Sequence, residues 1–223
     1  EDVKNKIETI HQLNEEFGYN TAVLADLQGP KLRIGKMEHE DFVINDGDIL
    51  TFTNENVIGT KEKVYMTYKK FAQDVQVGEN ILIDDGKLIF EVIETNGTDI
   101  VKARTIQGGP LRSKKGVNLP NTKISLPALT EKDKEDAIFA IQNKVDWFAL
   151  SFVRTGQDVV DLQEFISEHA GFKIPIISKI EKPEALENID DILIHSDGLM
   201  VARGDLGVEV PFEIVPKAQK ELI

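Results

Sequence analysis

The sequence predicts an α/β protein: a parallel sheet wound with helices and interrupted by a segment of short β-strands. Three observations predict it. Apolar, strand-like runs around 21–26, 146–152, 174–181 and 198–204 are spaced, from the second onward, by about one helix's worth of chain, as parallel strands joined by crossover helices require. Residues 31–122 lack any long helical period and carry short apolar runs broken by the turn dipeptides Asp46-Gly47, Asp85-Gly86 and Asn96-Gly97. From Thr130 onward, helical and strand-like stretches alternate again.

Composition narrows the class without naming it. At 41% hydrophobic the chain has ample material for a core in one or two domains. With no cysteine there are no disulfides, which favours a reducing compartment. The net charge of −13 leaves no basic excess to neutralise phosphates, so a nucleic-acid partner is not expected, although a local cationic pocket for a small phosphorylated ligand is compatible with it. No apolar run approaches the roughly 18 residues of a membrane span. No signal peptide is expected ahead of the first helix. The expectation is a soluble, cytoplasmic protein with no membrane partner.

Along the chain, Val3, Ile7, Ile10, Leu13 and Phe17 recur at helical spacing and Gly18 comes next, so residues 2–17 are predicted to form an amphipathic helix with a glycine stop. Residues 20–26 are a short apolar run closed by Asp26 and succeeded by Gly29-Pro30, which reads as a buried parallel strand leaving the layer there. Runs at 49–53, 81–83, 88–93 and 100–104 read as strands of a small closed or partly closed β-barrel. It is inserted after a strand of the parallel sheet, where a lid belongs. Thr130 ahead of Glu131, Lys132 and Asp133 is an N-cap with acids in the first turn, and Ala137, Ile138, Ile141 and Val145 form the stripe. After the strand at 145–152, Val159, Leu162, Phe165 and Ile166 mark a helix that Gly171 stops. Pro183 opens the next helix, and Ile214, Ala218 and Leu222 begin the last.

The chemistry concentrates between 176 and 207. Strand alternation puts Lys179 and Glu181 on one face and Ile180 on the other. Asp205 comes just after Gly204 at the end of the next run, so both carboxylates are expected at strand C-termini, the edge where parallel α/β folds place their chemistry. An ammonium and two carboxylates there suit a hard divalent cation that also holds an anionic substrate. Spacing alone does not separate ligands from helix caps at Glu181, Asp205 or Asp26. Asp84-Asp85, at a hairpin turn, reads as a ligand contact or, more often, as a pair of turn residues, and Lys114-Lys115 as a solvated face or a phosphate contact.

Ile-Ser-Lys-Ile-Glu (177–181) and Val-Ala-Arg-Gly-Asp-Leu-Gly (201–207) resemble the substrate and Mg²⁺ motifs of the pyruvate kinase family. Ala-Asp-Leu-Gln-Gly-Pro-Lys-Leu-Arg (25–33) resembles its third-strand motif. Ser-Lys-Lys-Gly-Val-Asn-Leu-Pro (113–120) resembles the return from its inserted lid, and Ser-Leu-Pro-Ala-Leu-Thr-Glu-Lys-Asp (125–133) the barrel segment just after that return. The resemblance implies a partial TIM (β/α)8 barrel, about strands three to six, from 1–30 and 121–223, with an inserted all-β small barrel lid domain at 31–120. It implies a chain that starts after the family's first two barrel strands and stops inside the helix before its seventh. Such a chain is expected to be inactive by itself and to self-associate through its raw edges, while the parent is a homotetramer. The implied reaction moves the phosphoryl group of phosphoenolpyruvate to ADP, giving pyruvate and ATP in glycolysis. In this resemblance Glu181 and Asp205 ligate Mg²⁺ or Mn²⁺, and Lys179 and Arg33 are catalytic. Lys179, Ala202, Arg203, Gly204 and Asp205 contact substrate, Asp26 helps hold a monovalent cation, and Lys114 or Lys115 reaches the nucleotide.

The third-strand motif departs from the family's commonest version, Asp-Thr-Lys-Gly-Pro-Glu: Leu27, Gln28 and Lys31 replace threonine, lysine and glutamate. Family members with this Leu and Lys pair are similar to those that work without K⁺. A lysine ammonium is a tethered point charge able to take the role of a free cation. Lys31 is therefore expected to substitute for K⁺, which is not required; the alternative reading is a solvated surface lysine. Two other classes share some or all of this pattern. A different Mg²⁺-dependent pyruvate or phosphoenolpyruvate barrel enzyme, of aldolase or lyase type, shares the strand-end carboxylates but not the β insertion. A non-catalytic binding or scaffold module shares every motif and turns nothing over.

Overall fold

A computed structural model describes residues 2–223. The chain forms two compact units, one made of the residues up to Pro30, Leu126–Leu206 and Pro216–Ile223, the other of Lys31–Ser125 and Gly207–Val215. It opens with α1 (Asp2–Phe17) and β1 (Leu24–Leu27). The second unit comes next with β2 (Val43–Ile44), β3 (Ile49–Thr53), β4 (Lys63–Tyr65), the short α2 (Phe71–Asp74), β5 (Asn80–Ile83), β6 (Leu88–Thr95), β7 (Ile100–Gln107), β8 (Gly109–Pro110) and β9 (Val117–Asn118). The first unit resumes as α3 (Glu131–Gln142), β10 (Trp147–Leu150), α4 (Gly156–Ala170), β11 (Ile176–Ile180), α5 (Pro183–Glu187), α6 (Ile189–His195) and β12 (Gly198–Val201). The last helices are α7 (Arg203–Glu209) and α8 (Ile214–Leu222).

The first unit is half of a (β/α)8 barrel. Its four strands are all parallel, in the order β1-β10-β11-β12, so β1 and β12 are the edges. Phe148 and Leu150 of β10 and Ile176 and Ile180 of β11 are buried in a core shared with Ala137 and Ala140 of α3, Val159, Leu162 and Ile166 of α4, and Ile192 of α6. The alternate strand positions, including Asp26 and Lys179, face away from that core.

The sequence signals act as expected at most helix ends. Thr130 is the N-cap of α3, with a capping box in which its Oγ1 accepts from the Asp133 amide at 3.2 Å and Asp133 Oδ2 accepts from the Thr130 amide at 2.9 Å. Gly171 ends α4 with φ +71°, and Pro183 stands in the first turn of α5.

Three expectations are corrected. The helix after Pro183 is two helices, broken at Asn188, whose Nδ2 donates to the carbonyls of Glu184 at 2.9 Å and Arg154 at 3.0 Å. The last strand ends at Val201 rather than 204, because the neighbouring ladder ends at Ile180. The Ala202 amide makes the final contact, 3.3 Å to the Ile180 carbonyl, and the chain then turns into α7. Finally, only Ile7 of the α1 stripe is buried, while Val3, Leu13 and Phe17 stay exposed. Among the described residues the sheet stops at β1, so no further strand covers them.

In the second unit, six strands run in the order β4-β3-β7-β6-β5-β9, antiparallel except for β3 with β4. A separate antiparallel pair joins β2 to β8. Phe52 packs edge-on against Phe71 and Phe90, at centroid distances of 5.6 and 5.9 Å. Asp85-Gly86 and Asn96-Gly97 close hairpins, between β5 and β6 and between β6 and β7. Asp46-Gly47 does not, since β2 and β3 pair elsewhere; Asp46 Oδ1 instead accepts from the Gly108 amide at 2.7 Å. Among the described residues no helix is long and apolar enough to cross a membrane.

Candidate active site

Lys179 is the next-to-last residue of β11, on the face turned away from the helices. The register places β10 between β1 and β11, with Asp26 beside Ala149 and Ala149 beside Ile177. The Lys179 ammonium reaches Ser151 Oγ at 2.8 Å, Asp26 Oδ1 at 3.1 Å and Glu181 Oε1 at 3.2 Å, one partner for each of its three donors. Glu181 is one residue past the strand and 1% exposed, and its second oxygen accepts from the Phe152 amide at 2.9 Å. Phe152 directs that amide from a left-handed backbone, φ +57°, which is rare for a bulky residue.

Burial pushes the Glu181 carboxyl above the usual carboxylate range, and the negative charge of Asp205 adds to the push; Lys179 and the Phe152 amide pull it back only in part. For Lys179, burial acts to lower the pKa, but the charges of Glu181 and Asp26 outweigh it and hold the ammonium above its ordinary value. The lysine is thus firmly charged, and Glu181 is the group that burial disfavours as an anion.

Asp205 lies in the first turn of α7 rather than at a strand end, exposed and close enough for Glu181 to feel its charge. A side chain added at the adjacent Gly204 would meet nothing within 4 Å, so the space there is open. The Ala202 amide is committed to Ile180 and is not available to a ligand, whereas the first-turn amides of Arg203 and Gly204 have no partner within the helix. Among the described residues, no cluster of three or more histidine, cysteine, aspartate or glutamate side chains could hold a metal alone. Two mutually repelling carboxylates fit a hard cation that keeps water and takes its other ligands from an anionic substrate. They do not fit a closed structural zinc site.

The other candidates belong to the second unit. Arg33 donates from Nη1 to the Lys114 carbonyl at 2.8 Å, and its amide donates to Thr67 Oγ1 at 2.9 Å. Lys115 pairs with Asp84 Oδ1 at 2.9 Å, and Lys87 pairs with the other Asp84 oxygen at 3.1 Å. Lys31 is exposed. Sequence reasoning missed Ser151, Phe152 and the pairing of Asp26 with Lys179. Ser151 was visible only as a polar residue two positions beyond Ala149 on the same face. Nothing in the sequence signals a contact between residues 26 and 179.

A parallel half-barrel with a half-buried lysine paired to a buried glutamate at the C-terminal end of its strands, and a second carboxylate just past the next strand, defines an α/β-barrel protein of the enzymatic type. The family model described as pyruvate kinase, barrel domain, matches residues 1–223, and the chain belongs to the pyruvate kinase family. It is 44% identical over 221 residues to a pyruvate kinase of Clostridium perfringens, covering 99% of this chain and 46% of that protein. It is 43% identical over 220 residues to that of Geobacillus stearothermophilus, covering 98% and 37%, and 42% identical over 220 residues to that of Thermotoga maritima, covering 99% and 47%. The chain thus spans less than half the length of these relatives.

Proposed function

We propose that this chain carries the metal and lysine part of the active site of a glycolytic, cytoplasmic pyruvate kinase, which moves the phosphoryl group of phosphoenolpyruvate to ADP and yields pyruvate and ATP. The observation that carries the reading is the Lys179 ammonium, fixed by Ser151, Asp26 and Glu181 beside Asp205. Glu181 and Asp205 hold Mg²⁺ or Mn²⁺ in this reading; when bound, the ion neutralises charge on the phosphoryl and carboxylate oxygens. Lys179 stabilises the negative charge that grows on the bridging oxygen as the phosphoryl group leaves, and it does so without reorganising, because three partners already orient it. The substrate carboxylate is received by the first-turn amides of Arg203 and Gly204, where the open side of Gly204 admits it. Arg33 contacts the phosphoryl group, and Lys114 or Lys115 the nucleotide, with residues 31–120 acting as the inserted lid.

Asp26 needs no K⁺ in this reading, because Lys179 already supplies a cation to it and Lys31 stands where the family usually has glutamate. Full-length protein in K⁺-free, NH₄⁺-free buffer should keep its activity, and a loss of about a hundredfold, some 2.7 kcal/mol, would contradict this. The primary test is a coupled lactate dehydrogenase assay on the full-length protein. Pyruvate formation dependent on both ADP and Mg²⁺ is expected; pyruvate release without ADP would point to a lyase, and no turnover to a binding module. The free edges of β1 and β12 favour self-association of the 223-residue chain, and a monomer mass by light scattering at high concentration would argue against it.

A further inference from the structure

The turn that holds Lys179 and Glu181 is itself held in a conformation its residue resists. Phe152, with φ +57°, is neither glycine nor asparagine, and such a backbone persists only where its surroundings over-determine it. Two of the determinants are the contacts already described, from Ser151 to Lys179 and from the Phe152 amide to Glu181. The third is Gly29, in the turn after β1. A side-chain carbon at Gly29 would come within 3.0 Å of both Phe152 Cδ2 and the Ser151 carbonyl oxygen, and Gly29 has φ +66°, so the site admits only glycine without displacement. Asp133 fixes this turn in place. Its Oδ1 accepts from the Gly29 amide at 3.1 Å, while its Oδ2 closes the capping box of α3 with Thr130. Asp133 is 1% exposed, so this carboxylate is committed to its two partners.

We infer that Asp133, Gly29 and Phe152 are positioning residues. The cap carboxylate of α3 clamps the Gly29 turn against Ser151 and Phe152, and this packing keeps the Phe152 amide on Glu181 and the Ser151 hydroxyl on Lys179. The inference rests on the proposed phosphoryl-transfer reading and adds what aims its metal ligand: the end of the adjacent strand, clamped from a third. The Gly-Pro strand exit and the Thr-Glu-Lys-Asp helix start thus each have a second task.

The test uses full-length protein and Mn²⁺ alone, titrated by the electron paramagnetic resonance signal of the free ion, alongside steady-state kcat and KM for phosphoenolpyruvate. Gly29→Ala should weaken Mn²⁺ binding by about tenfold or more and lower kcat by a similar factor, as loss of an orienting partner around a metal ligand does. Its thermal unfolding should stay cooperative. Phe152→Ala, which keeps the amide but removes the ring packed on Gly29, should move both quantities in the same direction by a smaller factor. Thr130→Ala removes the cap hydroxyl while leaving the bond from Gly29 to Asp133, and should lower Tm without changing Mn²⁺ affinity. Wild-type Mn²⁺ affinity in Gly29→Ala, or in Phe152→Ala should the first fail to fold, would overturn the inference, as would an equal Mn²⁺ loss in Thr130→Ala. A wild-type protein without turnover whose Mn²⁺ binding still falls in Gly29→Ala would overturn the phosphoryl-transfer reading and support the positioning.

Discussion

The ion pairs of the two units differ in how far they are withdrawn from water. In the β unit the cross-strand pairs of Lys102 with Glu94 and Arg104 with Glu91 lie on the surface, over a core closed by Phe52, Phe71 and Phe90. In the half-barrel, Lys179 and Glu181 pair with side chains only 14% and 2% exposed. Exposed pairs contribute roughly 0–1 kcal/mol each, while removing one partner of a buried pair costs about 3–5 kcal/mol because the other charge is stranded. Apolar burial therefore holds both units. The Lys179–Glu181 pair is withdrawn from water where the proposed chemistry needs a charge fixed in advance.

That contrast is sharpest at Lys179. In full-length protein, Lys179→Met should lower kcat by roughly a hundredfold to a thousandfold, the loss seen when a preorganised electrostatic group is removed. It should also destabilise the fold by about 3–5 kcal/mol, because Glu181 is left buried without its cation. The coupled assay and urea unfolding measure the two effects. A variant of unchanged stability would mean that the pair is not buried in solution.

Phe52→Ala should cost a similar 3–5 kcal/mol in the β unit by opening a cavity between Phe71 and Phe90. Unlike Lys179→Met, it should leave the proposed site intact, with Mn²⁺ affinity unchanged, as seen by denaturant unfolding and Mn²⁺ titration of the same sample.

Acidification should separate the units by sign. Glu181 has a raised folded-state pKa, so its effect on stability is favourable below the ordinary carboxylate pKa and lost as pH rises through the raised value. Metal binding needs its anion. Mn²⁺ affinity should therefore begin to fall, on lowering pH, earlier than for an ordinary carboxylate. Asp84 runs the other way: the Lys115 ammonium beside it holds its carboxyl below the usual range. Its contribution is present above the ordinary pKa and lost as pH falls through the lowered one. Carboxyl chemical shifts followed by NMR against pH should show Glu181 titrating above Asp84, and the reverse order would break the comparison. The smallest effect is expected for Lys102→Met, about 0.2–1 kcal/mol in urea unfolding, because its pair with Glu94 is exposed.

The same division explains what could be read in the sequence. Helix α3 was legible because its start is written locally, in Thr130 and Asp133, and the hairpin at Asn96-Gly97 because one side chain organises it: Asn96 Oδ1 accepts from the amides of Thr98, Asp99 and Ile100. Strand alternation was enough to set Lys179 and Glu181 on one face. It was not enough for Asp205. Whether that residue ends a strand or starts a helix depends on where the neighbouring strand stops, and Ile180 decides it. The pairing of Asp26 with Lys179 depends on register across β10, and the left-handed turn at Phe152 on packing under Gly29. The break at Asn188 was missed because asparagine is tolerated in a helix; its side chain, bonded to two carbonyls, ends this one.

The most direct measurement is a crystal structure of the full-length protein soaked with Mn²⁺ and phosphoenolpyruvate, with the ion located by anomalous scattering. One peak is expected within about 2.0–2.3 Å of an oxygen of both Glu181 and Asp205, with Lys179 Nζ against the substrate. An ion bound by only one of these carboxylates, or a substrate far from Lys179, would contradict the assignment.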